Sequence, residues 1–485
     1  MFSLRFATAA LLLGTSAIVA QAPATRPKLS PETREFVSVD APIVALTHVK
    51  LIDGTGAPAV DDQTVVIQNG KISAVGKTGV VVIPKGAKVL ELAGHSVYPG
   101  FVGLHNHTYY NGGGRSVQGT ITAPRLYLGS GVTTIRTTGS MWPYDELNLK
   151  KSIDAGEVPG PRMFVTGPYI NGGPPGGRMT NVATAEEARK FVDYWAGEGV
   201  SWLKFYANIS REAMGAAIDE AHKKGIKTTG HIGSVTFRET VALDIDNIEH
   251  GYLTNTDYVA NKEPDKNVPL SGYDTLDMNS AAVQQTFREM IQHHVPMTST
   301  LAVFEDVYAP YRYELPPRVL EALDPAIRSA ILARRTGMRQ RPGDSTPPQP
   351  LVRPTMGEKN FKKAMDYEIA FVKAGGLLGA GVDPTGGGGA LPGFGDHRNF
   401  ELLVEAGFTP EQAIQICSTN GAKVLGITDK VGPIQVGNGA DLVVAKGDVV
   451  RTPGDIANTV TVFKDGIGYD SAKLIASVKG LVGIR

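Results

Sequence analysis

The chain has 485 residues, with 48 Lys and Arg against 48 Asp and Glu, so its formal net charge is zero. That balance excludes an extended basic surface for nucleic acid. A single cysteine, Cys417, excludes an intramolecular disulfide framework, and the length accommodates one large domain plus a smaller one.

The N-terminus reads as a processing segment. Arg5 gives a positive start, Ala9 to Ala20 is mostly apolar, and Ala20-Gln21-Ala22 is a small-residue cleavage site. The run is too short for a typical membrane span. Residues 1–22 are therefore expected to be a signal peptide, and the mature chain to be exported, to the periplasm or the exterior of a bacterium. Formal glycosylation acceptors begin at Asn106 and Asn208; a glycan on Asn106 would crowd the histidines on either side of it, which favours a bacterial source. No stable membrane span is expected further on. Residues 23–41 are polar and proline-rich and read as a linker.

From Ile43 the pattern changes to short alternating strands: Val44–Leu51, Thr64–Gln68, Ile72–Val75, Val80–Ile83 and Val89–Leu92. Asn69-Gly70 between two of them is a strong hairpin signal. Residues 42–98 thus read as an antiparallel β module too small to stand alone. The same style returns at residues 427–485, in Gly432–Gly437, Ala440–Ala445 and Val460–Gly466. The expectation is one composite β-sandwich built from both ends of the chain.

Between them, residues 99–426 alternate strands with helices, the mark of a parallel α/β fold. The strand candidates are Phe101–His105, Thr133–Thr138, Arg162–Thr166, Trp202–Tyr206, Lys227–His231, Asn247–His250, Pro296–Leu301 and Leu377–Asp383. Thr184-x-x-Glu187 and Thr409-Pro410-x-Gln412 are capping boxes for helices between or after them. Eight such units predict a (β/α)8 TIM barrel, whose site lies at the C-terminal ends of the strands. Two stretches interrupt the repeat, Thr254–Tyr273 and Glu305–Met356; the second is either a lid or substrate wall, or a solvated excursion. Cys417 shares an apolar helical pattern with Ala413, Ile414 and Ala422 and reads as a buried structural thiol.

The chemistry gathers at the strand ends. His105 and His107 are two apart on a strand, so they face one space, and neutral imidazole suits zinc and its neighbours. Lys204, His231, His250 and Asp383 each close a later strand-like run. Lys204 stands among apolar and aromatic residues, where a lysine needs an anionic partner or a depressed pKa. It is either paired with an acid such as Asp383, or neutral and able to capture CO₂ as a carbamate that bridges two cations. Glycine on the face of Asp383 is read as room for something bulky. The Gly386–Gly389 run reads as a mobile loop or, second, an anion cradle.

This constellation resembles the binuclear amidohydrolase superfamily: His105-x-His107 on the first strand, Lys204 on the fourth, His231 on the fifth, His250 on the sixth and Asp383 on the eighth. Within it the chain looks closest to the group related to imidazolonepropionase that includes Xaa-Pro dipeptidases with a carboxylated lysine. The resemblance implies that His105, His107 and Asp383 hold one divalent ion, with zinc the expected metal, and His231 and His250 a second. Carboxylated Lys204 and a hydroxide would bridge the two, and Asp383 and His250 would be the catalytic residues, Asp383 moving the proton. The implied reaction is hydrolysis of a C–N bond in a small substrate such as an N-acyl amino acid or dipeptide. Hydrolysis of a cyclic amide, lactone or other ester is the alternative, and a catalytically silent binding barrel the remaining one; assembly as a homo-oligomer is left open. Two departures stand out. His231-Ile-Gly-Ser234 lacks the glutamate that deaminases carry three residues on, and Arg136-Thr137 replaces an Arg-Asp pair. Tyr206, beside Lys204, together with Arg178 and His397, are the expected substrate contacts; Tyr109, Tyr110 and Arg398 are further candidates.

Overall fold

The computed structural model describes residues 28–173, 179–268, 275–339, 349–350 and 357–484. The expected signal peptide lies outside them. Among the described residues no helix is long and apolar enough to cross a membrane.

The central element is a set of parallel strands separated by helices. We number them β1 (Phe101–Asn106), β2 (Val132–Thr137), β3 (in two segments, Arg162–Phe164 and Thr166–Asn171), β4 (Trp202–Phe205), β5 (Lys227–Gly230), β6 (Asn247–Glu249), β7 (Met297–Ser299) and β8 (Leu378–Ala380). Each sits where the apolar runs place it. Sequential neighbours pair from β4 through β8, β8 pairs with β1 through Ala380 and Gly103, and β1 pairs with β2. The first segment of β3 pairs with β2 and the second with β4. The result is a TIM-barrel-like α/β fold. Helix starts follow the caps read in the sequence: Thr184 accepts from the Glu187 amide at the start of Ala185–Glu198, and Thr409 and Gln412 form a reciprocal capping box with Pro410 in the first turn.

Both chain ends join one nine-stranded sheet. Its path includes Ile43–Leu51, Val60–Gln68, Lys71–Lys77 and His95–Pro99 from the front, and Leu442–Lys446, Thr459–Lys464 and Ile467–Asp470 from the back. The seam is antiparallel, Tyr98 against Val443. Asn69 and Gly70 both have positive φ, +50° and +80°, the conformation a two-residue hairpin requires. Val44, Leu46, Val65, Leu442 and Phe463 share one apolar core across the seam.

Three expectations are corrected here. Much of the proline-rich stretch 23–41 is ordered structure: Ser30 caps the short helix Pro31–Arg34, and Val37–Val39 pairs with the C-terminal strand at Tyr469. Leu29 and Phe36 are buried against Leu128 and Tyr469, so apolar anchors outweigh the polar composition. Val80–Ile83 forms no strand, and Val80 and Val82 are exposed, because the hairpin ends at Lys77 and leaves no partner backbone. Gly432–Gly437 is likewise irregular.

The described part of the 305–356 insertion is packed, not solvated. Helices Pro317–Ala322 and Pro325–Arg335 bury Val319, Ile327 and Ile331 against Tyr110, Phe394 and Val478. Asp306 takes the Gly389 amide (2.9 Å) and Arg335 (3.1 Å), while the Tyr110 hydroxyl donates to the Gly388 carbonyl (2.6 Å). The Gly386–Gly389 run is therefore pinned, and the anion its backbone meets is this chain's own Asp306.

Candidate metal centre

The histidines, Lys204 and Asp383 converge at the C-terminal ends of the parallel strands. His105 and His107 leave β1 on one face. By alternation, Asn247 and Glu249 of β6 share a face and His250 would point the other way. His250 adopts φ +67° instead, and Asp383 φ +47°. Left-handed backbone at non-glycine residues is uncommon and carries strain; here it turns both side chains into the same space.

Asp383 is the hub. Its carboxylate lies 3.4 Å from His107 Nε2, 3.5 Å from His105 Nε2 and 4.0 Å from His250 Nε2. Burial alone would raise its pKa, but His105 and His107 override that and hold the carboxyl below its usual range. Ligand atoms of His105, His250 and Asp383 all lie within 4.8 Å of one another. The His231 ring stands 4.6 Å from that of His250.

The remaining ring nitrogens are anchored. His105 Nδ1 meets Glu249 (2.8 Å), His107 Nδ1 the Gly139 carbonyl (3.1 Å) and His250 Nδ1 the Thr300 hydroxyl (2.8 Å). A carboxylate and a carbonyl only accept, so His105 and His107 carry their protons on Nδ1 and present a bare Nε2 to the centre. Burial lowers the pKa of His105 and His250 well below the ordinary value, and that of His231 to about 3, so all three are neutral ligands. Thr385 donates to Asp383 (2.6 Å).

Lys204 is buried, and its Nζ has no hydrogen-bond partner. The sequence left an ion pair with Asp383 open; the structure shows none within salt-bridge distance. Burial lowers the lysine pKa to about 8, with Glu249 and Asp383 opposing the shift. An orphaned, readily neutral amine amid three neutral imidazoles and a carboxylate is a nitrogen/oxygen donor set suited to borderline divalent ions.

Glu249 is the residue the sequence reading missed. It is fully buried, and besides His105 it accepts from Arg136, Thr229 and Asn247 (2.9 Å). Arg136 also donates to the Leu104 carbonyl (2.7 Å) and covers the Trp202 ring at 4.4 Å. The available signal was period-two alternation, which places Glu249 with Asn247 on the inward face of β6. The glycines before Asp383 have a different purpose from the one expected. A Cβ on Gly381 would come within 2.3 Å of the His105 amide, and one on Gly379 within 2.5 Å of Leu104. They permit close strand approach instead of leaving room for a bulky group.

The expected substrate contacts separate. Tyr206 is half-buried, its ring 4.6 Å from His231 and 5.5 Å from Tyr169. Tyr109 packs on His107 at 4.6 Å. Arg178 lies outside the described residues. His397 is directed away from the centre: its Nε2 meets the Ser130 carbonyl (2.7 Å), Nδ1 meets Arg318 (3.2 Å), and its ring packs edge-on to Phe101 at the start of β1. Arg398 is engaged by Glu305 (2.8 Å) and Glu401 (2.8 Å). Cys417 is a buried thiol, as expected.

Residues 96–468 match the sequence pattern of the amidohydrolase family. Solved structures share the fold over nearly the whole length. A Xaa-Pro dipeptidase with methionine bound in its active site is 19% identical, covering 88% of this chain and 100% of its own, with a TM-score of 0.65. A bottromycin amidohydrolase is 19% identical over 94% and 95% of the two chains (TM-score 0.64). A molinate hydrolase is 17% identical over 90% and 96% (TM-score 0.63). At these identities the likeness speaks for fold alone. No curated protein sequence gives a significant match.

Proposed function

Because the chain belongs to the amidohydrolase family and is a hydrolase of carbon–nitrogen bonds, we propose that it cleaves the amide bond of a small N-acyl amino acid or dipeptide at a binuclear metal centre. His105, His107 and Asp383 would hold one divalent ion, His231 and His250 the other, and a carbamate on Lys204 both; zinc is the ion we assign. The observation that carries this is the orphaned Nζ of Lys204. A buried amine without a partner is costly, and CO₂ capture converts it into an anion with two oxygens. Two ions, when bound, supply a hydroxide at neutral pH and polarise the scissile carbonyl.

The protein's own groups do the rest. The anchored imidazoles hold fixed directions because their Nδ1 atoms are already engaged. Asp383 faces His105 and His107 and takes the proton of the attacking water. It returns that proton to the leaving nitrogen; a carboxylate with so low a pKa is a weak base, but it is placed for both transfers. Tyr206, half-buried above His231, lines the approach. We take the ring of parallel strands as a closed barrel, the nine-stranded sheet as its companion sandwich, and the leader-like residues 1–22 as the export signal.

The test is metal content per chain in protein purified with bicarbonate, followed by a panel of N-acyl amino acids, dipeptides and lactones. Two equivalents with amide turnover is the expected result. One equivalent removes the bridging role of Lys204. Turnover of lactones alone transfers the same centre to esters, and a protein that stays bare when metal is supplied is a silent barrel.

A further inference from the structure

Two buried tyrosines beside His107 have no part in the mechanism above. Tyr169 lies on β3 in register with Lys204 of β4, and registered residues of adjacent parallel strands project from the same face. Its hydroxyl is 3.4 Å from His107 Nε2, the nitrogen that Gly139 leaves free. It also makes a short hydrogen bond with the Tyr109 hydroxyl. The ring is fixed from three sides. It stands edge-on to Tyr206 at 5.5 Å and 6.2 Å from the His107 ring. Gly139 has φ +88°, and a Cβ there would come within 2.4 Å of the Tyr169 ring; a side chain at 139 would displace the tyrosine.

The hydrogen-bond count gives this arrangement its meaning. Each phenol has one proton to donate. The contact between the two hydroxyls uses only one of the two protons. With Tyr109 donating to Tyr169, the Tyr169 proton is left over and points toward the space in front of His107 Nε2. That nitrogen is a metal ligand on the reading above, so in the loaded protein it no longer accepts. The spare donor then faces whatever oxygen occupies the centre.

We propose that Tyr169, oriented by Tyr109, is a catalytic residue that donates a hydrogen bond to the oxygen of the scissile carbonyl as negative charge develops there. The proposal rests on the hydrolase reading. When hydroxide attacks, a C–O bond forms and the carbonyl π pair moves onto that oxygen; Tyr169 stabilises this pair and keeps its own proton. The C–N bond then breaks as the nitrogen receives the proton carried by Asp383. A preorganised donor of this kind is worth about 10²–10³-fold in kcat.

The experiment uses metal-loaded wild type, Tyr169→Phe and Tyr109→Phe. The substrate is the best amide from the panel, and the probe is the N-(methylphosphonyl) amino acid of the same leaving group, a tetrahedral anion in place of the carbonyl. For Tyr169→Phe we expect kcat to fall about 100-fold or more with KM and metal content held. Affinity for the phosphonyl probe should fall by a similar factor. Tyr109→Phe, which keeps the donor but loosens it, should lose about tenfold. A Tyr169→Phe enzyme with wild-type kcat and probe affinity overturns the proposal, as does one whose activity falls only in step with lost metal. Wild type that hydrolyses nothing on the panel overturns the hydrolase reading itself, and this proposal with it.

Discussion

Two cations on adjacent strands show how differently the two ends of the parallel sheet are built. Arg162 opens β3, at the end facing the composite sheet. It donates to Thr134 (2.9 Å) and Asp441 (3.1 Å) and pairs with Asp465 (2.5 Å). Burial opposes its charge, but Asp441 and Asp465 more than offset that and hold its pKa above the ordinary value. Lys204, near the end of β4, has no partner, and burial moves its pKa the other way, to about 8. One end satisfies its charges within the fold. The other leaves an amine, bare imidazole nitrogens and strained backbone at His250 and Asp383, a cost a fold retains where a ligand completes the set.

Removing each cation should break the comparison in opposite ways. Lys204→Ala is expected to lose most metal and to drop activity by at least about 10²–10³-fold, the loss for one preorganised electrostatic group; a short carboxylate added to the buffer should restore part of both. Arg162→Ala leaves Asp441 buried without its partner, which costs about 3 kcal/mol, so its denaturation midpoint should fall while metal per folded chain stays at the wild-type value. Elemental analysis and denaturant titration of both variants check this. If Lys204→Ala keeps its metal, the contrast between the two ends fails.

Glu249 sharpens the same contrast, because it is a paired charge at the functional end. With Arg136 it forms a buried ion pair, yet it also fixes His105. Glu249→Gln keeps the shape but weakens its hold on the Nδ1 proton. Metal affinity is expected to fall about 10–100-fold, with a smaller change in stability than Arg162→Ala. Competitive chelator titration measures it; unaltered affinity would make Glu249 a structural partner of Arg136 only.

The legible and illegible parts of the molecule divide along similar lines. Strand positions were readable because fully buried parallel strands are short apolar runs, and Asn69-Gly70 announced its hairpin. His105-x-His107, Lys204, His231, His250 and Asp383 were readable because chemistry-bearing residues at strand ends interrupt those runs. Glu249 and Tyr169 were not singled out, because their meaning depends on which strand lies alongside, and register is a tertiary fact. Residues 28–41 were misread for a similar reason: Leu29 and Phe36 find their partners more than ninety positions away in the chain, at Leu128 and Tyr469. The glycines before Asp383 were misread because close strand approach and an empty pocket demand the same small residue.

His397 gives the smallest effect and the most direct check on the strand-start end. It is expected to be structural, held by the Ser130 carbonyl, Arg318 and Phe101. Burial, reinforced by Arg318, pushes its pKa down to about 3. The unfolded chain takes up a proton near pH 6.5; the folded one does not until about pH 3. Below pH 6.5 the unfolded state therefore binds more protons, and stability is lost as pH falls through that window, at about 1.4 kcal/mol per pH unit from this one residue. Above pH 6.5 the residue is neutral in both states and contributes no slope. His397→Gln should flatten the acid limb of the denaturation midpoint by that amount and leave metal content and kcat at pH 7.5 near wild type. A loss of kcat at neutral pH with no change in the acid limb would instead return His397 to the substrate site.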